Sequence, residues 1–203
     1  LSQYFFYMFR TVSRWMLSSI ILLSHTYLFA IEHDVFNELL NKYVSSGKVN
    51  YLGIQSESRE VLNSYLGLLS NIKSTELSSF SKLEQLALYI NAYNAFTITA
   101  VLDHWPVDSI RDIPNVWKEK KYKLAHNHVS LDEIEHKFAR SFGDPRVHFA
   151  LNCASVGCPE LRSEAYVALE LHNQLEDQTR LFFKQSDKFY SCAECEDIKL
   201  SKI

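Results

Sequence analysis

The chain has 203 residues, 47% of them hydrophobic and 22% charged, with only five glycines and four prolines. That is an ordinary globular composition, enough for one domain with a real core, and it excludes a low-complexity or loop-dominated chain. A formal net charge of -3, with Lys, Arg, Asp and Glu intermixed, leaves no basic stripe, so electrostatic capture of nucleic acid is not expected.

Arg10 and Arg14 precede a mostly apolar stretch from Trp15 to Ala30, with Leu28-Phe29-Ala30 as a tolerable cleavage site. This pattern reads as a secretory signal peptide over 1–30, so the expected localisation is exported, periplasmic or extracellular. The stretch falls short of the roughly 20 residues that span a bilayer comfortably, and Ser24, His25 and Thr26 dilute it. A membrane anchor is the lesser alternative, and membrane contact is expected only if the segment stays uncleaved. One globular domain is expected over 31–203.

Val35, Phe36, Leu39, Leu40 and Tyr43 recur at helical spacing from His33 to Val44, and Ser45-Ser46-Gly47 ends that helix. Lys48 to Tyr51 reads as a short strand. A second helix is expected from Glu57 to Leu69, with Val61, Leu62, Tyr65, Leu68 and Leu69 as its buried stripe. The strongest helix starts at Ser81, where Ser81 and Glu84 satisfy a Ser-x-x-Glu capping box, runs apolar from Leu83 to Leu102, and is stopped by Trp105-Pro106. It is apolar nearly all round, yet carries Asn91 and Asn94 three residues apart on one face. A buried amide needs partners, so these two either tie loop backbone to the helix or line a binding site.

Val107 to His126 contains turn signals and reads as a solvated loop or hairpin. Ser130 and Glu133 form another capping box, and in that helix Asp132 and His136 stand at i, i+4 while Leu131, Ile134 and Phe138 look inward. An acid can thus orient an imidazole. From Asp144-Pro145 the chain alternates Val147, Phe149, Leu151 against His148, Ala150, Asn152, a period-two pattern that predicts a strand, broken by Gly157 and Pro159. Ser163 to Lys184 reads as a long helix with Glu164, Glu170, Glu176 and Asp177 on a solvated face. The tail reads as a hairpin through Phe189-Tyr190, a Cys192 to Cys195 turn and Ile198-Lys199-Leu200. The expected fold is α+β: a helical N-terminal half, a small antiparallel sheet containing Val147 to Asn152, and a long C-terminal helix with a hairpin.

Three motifs carry a resemblance: INAYNAFTI at Ile90 to Ile98, SLDEIEHKFAR at Ser130 to Arg140, and DPRVHFALNCASVGCPELRSEAY at Asp144 to Tyr166. Together they resemble the family called domain of unknown function 547, from about His33 to the end of the chain. The resemblance implies no activity, since the family's name records none. It does imply that related sequences continue past Leu-Ser-Lys-Ile with an aromatic-rich stretch, so that a last packing element is lacking here, and that Cys192 and Cys195 stand outside the shared pattern.

The chemistry must come from the residues. Four cysteines in an exported chain point to disulfides, with Cys153/Cys158 and Cys192/Cys195 each close enough to pair. A four-cysteine zinc site is a weak alternative, because only the second pair has the two-residue gap such sites favour. A mixed His148, Cys153 and Cys158 site is weaker still. The third reading makes Cys153 a nucleophile at a chain corner, where backbone amides of Ala154 to Gly157 become available for an oxyanion. On a regular strand His148 points to the opposite face from Cys153. His136 is therefore the expected base, with Asp132 or Asn152 orienting it, for acyl transfer at an amide, ester or thioester.

Arg146, His148, Asn91 and Asn94 are the candidate substrate contacts. Arg146 and Arg162 bracket the corner, and Arg162 reads as structural. The expected partner is a small-molecule or peptide substrate, with no cofactor and no metal. The alternative to a cysteine hydrolase or acyltransferase is a noncatalytic binding or scaffold domain stapled by Cys153–Cys158.

Overall fold

A computed structural model describes residues 33–185, 188–192 and 197–201. The architecture is α+β, mainly helical, with two-stranded antiparallel pairs at its margins. The expected signal peptide and the Cys192/Cys195 pairing lie outside the described residues. Among those residues, no helix is long and apolar enough to cross a membrane.

Helix α1 (33–43) leads into β1 (Val44–Ser45), which pairs with β2 (Lys48–Val49). The turn between them needs positive φ at both central residues, Ser46 at 48° and Gly47 at 71°, the backbone of a tight hairpin. Gly47 is also required by space, because the Glu160 side chain packs directly where a Cβ would stand. A first-quarter hairpin is thus pressed against the corner region. The helical run that follows is longer than expected: α2 (Tyr51–Gly53) passes through a π-turn (Ile54–Ser58) into α3 (Arg59–Asn71). A short helix α4 (Ser74–Ser79) comes before the central one.

Helix α5 (Lys82–Asp103) matches its sequence signals closely. Ser81 Oγ accepts from Glu84 N at 3.2 Å and the Glu84 carboxylate accepts from Ser81 N at 2.7 Å, so the capping box is formed in full. Every residue from Leu86 to Leu102 except Tyr89 is buried, as an all-round apolar helix must be. Helix α3 and the segment 131–142 pack around it. The expected loop or hairpin resolves into a short 3-10 turn (Ile110–Asp112) and then β3 (Tyr122–Leu124) paired with β4 (Asn127–Val129). Its tip, Ala125 and His126, is hydrogen-bonded to the carbonyls of Leu69 and Ser70 at 2.9 Å each. The hairpin therefore satisfies carbonyls that the end of α3 leaves open.

Helix α6 (Leu131–Glu133) begins at the second capping box, Ser130 Oγ accepting from Glu133 N at 3.1 Å, and continues as a π-turn (Ile134–Phe138) and a 3-10 turn (Ala139–Phe142).

Two expectations are corrected here. The segment Val147 to Asn152 is not a strand. Pro145–Phe149 is a 3-10 helix, because Asp144 Oδ1 caps Arg146 N at 3.0 Å and Pro145 presets the first-turn φ. Residues 150–152 then run on unpaired with any strand. The long helix also starts late: α7 is Leu171–Lys184, not Ser163–Lys184. Residues 163–170 stay irregular because their backbone is held by side chains: Ala165 N by Asn37 (3.0 Å), Tyr166 N by Asn91 (2.9 Å) and Val167 N by Gln174 (3.0 Å). The chain closes with β5 (Phe189–Cys192) and β6 (Asp197–Leu200), antiparallel as expected of a hairpin.

Candidate functional site at the cysteine corner

The corner is suspended from α5 by its two asparagines. Asn94 Oδ1 accepts from Asn152 N at 2.9 Å while its Nδ2 donates to Ala150 O at 3.0 Å. One turn away Asn91 does the same for a single residue, accepting from Tyr166 N (2.9 Å) and donating to Tyr166 O (2.7 Å). Both are buried, at 0% and 2% exposure. Each amide acts as a strand neighbour would, satisfying one N–H and one C=O of an irregular chain that has no sheet to join. Of the two readings open from the sequence, these bonds carry the tying of loop backbone.

Asn152 closes the loop in turn. Its Nδ2 donates to Pro159 O at 2.7 Å and its Oδ1 accepts from Ala154 N at 3.0 Å. Cys153 and Cys158 are joined as a disulfide with a Cα–Cα distance of 6.0 Å, within the ordinary span of such links. Ser155 Oγ sits between the sulfurs, 3.2 Å from Cys153 Sγ and 3.4 Å from Cys158 Sγ. Ala154 adopts φ 54°, and Val156 at the tip is 91% exposed. From outside, Ser201 Oγ donates to Gly157 O at 2.8 Å. The close fit leaves little room, since a Cβ on Gly157 would stand 2.9 Å from that hydroxyl.

The residues expected as base and orienter do meet each other. His136 Nε2 and Asp132 Oδ1 are 3.6 Å apart and both side chains are about half exposed. Yet Arg140 Nη1 lies 2.8 Å from His136 Nδ1, and a guanidinium can only donate, so that lone pair is occupied. Arg140 also approaches Glu135 at 3.8 Å. His148 faces the same charges. Burial holds its imidazole below the ordinary range, Arg140 and His136 push the same way, and Glu135 opposes them. The hydroxyl of Ser155 and the sulfur of Cys158 contact Cys153 Sγ, while His136 contacts Asp132 and Arg140.

The arginines are committed to ion pairs. Arg146 grips Asp144 with two nitrogens, Nε to Oδ1 at 3.0 Å and Nη2 to Oδ2 at 2.7 Å, and reaches α7 at His172 Nδ1 (3.2 Å) and Glu176 (3.6 Å). This pairing holds the Asp144 carboxyl below the usual carboxylate range. Arg162 pairs with Glu164 and with Asp177 at 2.7 Å, as read from the sequence. Phe149 adds apolar contact to α7 through Phe182 and Phe183, ring centroids 4.9 and 5.3 Å away.

Sequence reasoning missed three supporting side chains. Gln174 Nε2 donates to Ala165 O at 2.9 Å, Gln178 Nε2 donates to Glu160 O, and Ser155 bridges the sulfurs. The signal for the glutamines was available, because 174 and 178 fall on the same stripe as Leu171, Leu175 and Phe182, where a polar residue must have a buried partner. A cavity of about 490 Å³ lies beside the Gln174 contact, lined among others by Asp34, Asn37, Arg162, Glu164, Gln174 and Asp177. Among the described residues no group of three or more His, Cys, Asp or Glu side chains is gathered to hold a metal ion.

A family model described as "Protein of unknown function, DUF547" matches residues 77–183, more than half of the chain. It spans α5, the Asp132/His136 turn and the whole cysteine corner. No curated protein and no solved structure matches.

Proposed function

Given that the chain belongs to the DUF547 family, which assigns no activity, we propose from its geometry that it is an exported, noncatalytic binding or scaffold domain with an oxidised corner. The observation that carries this reading is the Cys153–Cys158 bond. A sulfur held in a disulfide has no thiolate to attack a carbonyl. Disulfides persist in oxidising compartments, which agrees with the signal-peptide pattern of the first thirty residues. The amides of Asn91, Asn94 and Asn152 are spent on backbone, and Arg146 is spent on Asp144, so they serve as scaffold. The cavity beside Arg162, Glu164 and Asp177 is the place such a domain offers a small-molecule or peptide ligand.

A cysteine-dependent hydrolase or acyltransferase is the second reading. What favours it is the 3.6 Å contact between His136 and Asp132, an orienter beside its base. It requires Cys153 reduced and an imidazole brought to it. Mass mapping of protein purified without reductant, after iodoacetamide labelling across pH, separates the two. The binding reading expects a linked 153–158 peptide and no label on Cys153. Alkylation of Cys153 near neutrality, faster than a free peptide thiol, would instead establish a primed nucleophile and remove the binding reading.

A further inference from the structure

Around the Cys153–Cys158 bond the backbone is held without help from the sulfurs. Asn152 ties the entry of the loop to Pro159 O at its exit, and Asn94 fixes Ala150 and Asn152 on the near side. Inside the loop Cys158 N donates to Ser155 O at 3.0 Å, and Ser201 holds Gly157 from outside. A cross-link over so short a loop removes less denatured-state entropy than one over a long loop. These hydrogen bonds therefore share its work as a staple.

The two sulfurs are also unlike. Cys158 is buried, at 7% exposure, whereas Cys153 is half-buried, and thiol exchange requires access to the sulfur under attack. Ser155 Oγ stands within 3.4 Å of both, so its proton can follow negative charge to the sulfur that leaves. Exposed Val156 supplies an apolar contact beside the reactive bond. No residue from 153 to 158 carries a charge that would repel an incoming thiolate.

We infer that the partners of this domain bear thiols, and that it captures them as a mixed disulfide on Cys153. The inference rests on the oxidised corner of the binding reading above. The partner's thiolate forms a bond to Cys153 Sγ as the Sγ–Sγ bond breaks. Cys158 Sγ leaves with the electron pair, receives the Ser155 hydroxyl as a hydrogen-bond donor, and takes up the proton that the partner's thiol released. One disulfide is lost and one is formed, so no outside oxidant enters.

The test uses the full chain, purified without reductant, with excess reduced glutathione as one probe and a ten-residue peptide carrying a single cysteine as the other. Products are trapped with N-ethylmaleimide and mapped by mass. Either probe on Cys153 with maleimide on Cys158 is the expected product. Ser155→Ala should slow its formation roughly tenfold or more, the loss of one hydrogen bond to a charged group, with an unchanged circular dichroism spectrum. An adduct on Cys158, no adduct under conditions that open a disulfide-bonded control peptide, or a Ser155→Ala variant reacting at the parent rate overturns the inference. Free Cys153 in the starting protein, detected by maleimide before any probe is added, overturns the binding reading itself and the inference with it.

Discussion

Two side chains decide how the corner is held. Asn91 and Asn94 are buried amides whose donor and acceptor atoms are each matched to one backbone group. Replacing Asn94 by Ala strands Ala150 O and Asn152 N inside the fold. Each orphaned buried group costs on the order of 1 to 3 kcal/mol, so Asn94→Ala should lower stability by about 3 kcal/mol in urea denaturation. Asn94→Asp keeps the acceptor for Asn152 N but sets a buried carboxylate oxygen against Ala150 O, so it should lose at least as much as Ala at neutral pH. A loss in the alanine variant below about 1 kcal/mol would mean that solvent reaches these backbone groups and that the suspension described here is wrong. His136 teaches the complementary lesson. Its spacing from Asp132 was readable from the helix repeat, but the donor on its other nitrogen, Arg140, lies four residues further along the chain in the next turn and takes the lone pair that a base would use.

At the scale of elements, capping chemistry was the most legible signal. Ser81 with Glu84 and Ser130 with Glu133 each form both bonds of the box, because these contacts are local and need nothing from the rest of the chain. The Val147 to Asn152 segment failed for the opposite reason. Alternation shows which side chains can face a core, but a strand also needs a neighbour, and here Asn94 of α5 takes that place. The β1–β2 hairpin is the element with least tolerance. Gly47 combines φ 71° with the Glu160 side chain packed on its Cα, so Gly47→Ala meets both backbone strain and a steric clash. It should cost about 2 kcal/mol in chemical denaturation, whereas Gly67→Ala, with open space around it, should be neutral or stabilising.

The whole molecule adds a pH dependence that no single motif announces. Burial pushes the His33 imidazole down to about 4, and its Nδ1 lies 2.9 Å from the Tyr65 hydroxyl. The folded chain then stays neutral at His33 where the unfolded chain binds a proton, so stability is full above about 6.5 and declines as pH falls from there toward about 4. His148, also held down by burial, adds to the same decline. Asp144 and Glu164, whose carboxyls are lowered by Arg146 and Arg162, contribute their losses at more acid pH, as they become protonated. Urea midpoints measured from pH 7.5 to about 2.5 should therefore fall in two stages, the second centred below about pH 4, and His33→Gln should flatten the upper one. An upper stage unchanged in that variant would exclude His33 as its source.

What the sequence determined by itself was local: where α5 begins and ends, the two capping boxes, the helical pairing of Asp132 with His136, the closeness of Cys153 to Cys158, and the three motifs of the family. Capping, helix periodicity and short loops depend on residues within a few positions of one another, so order along the chain contains them. Only the tertiary structure decided what the buried amides do, why 163–170 is not helical, and that Arg146 also reaches His172 and Glu176 on α7. Asn94 and Ala150 are 56 residues apart and Asn37 and Ala165 are 128 apart. Contacts over such separations come from packing around α5, whose geometry no local pattern encodes.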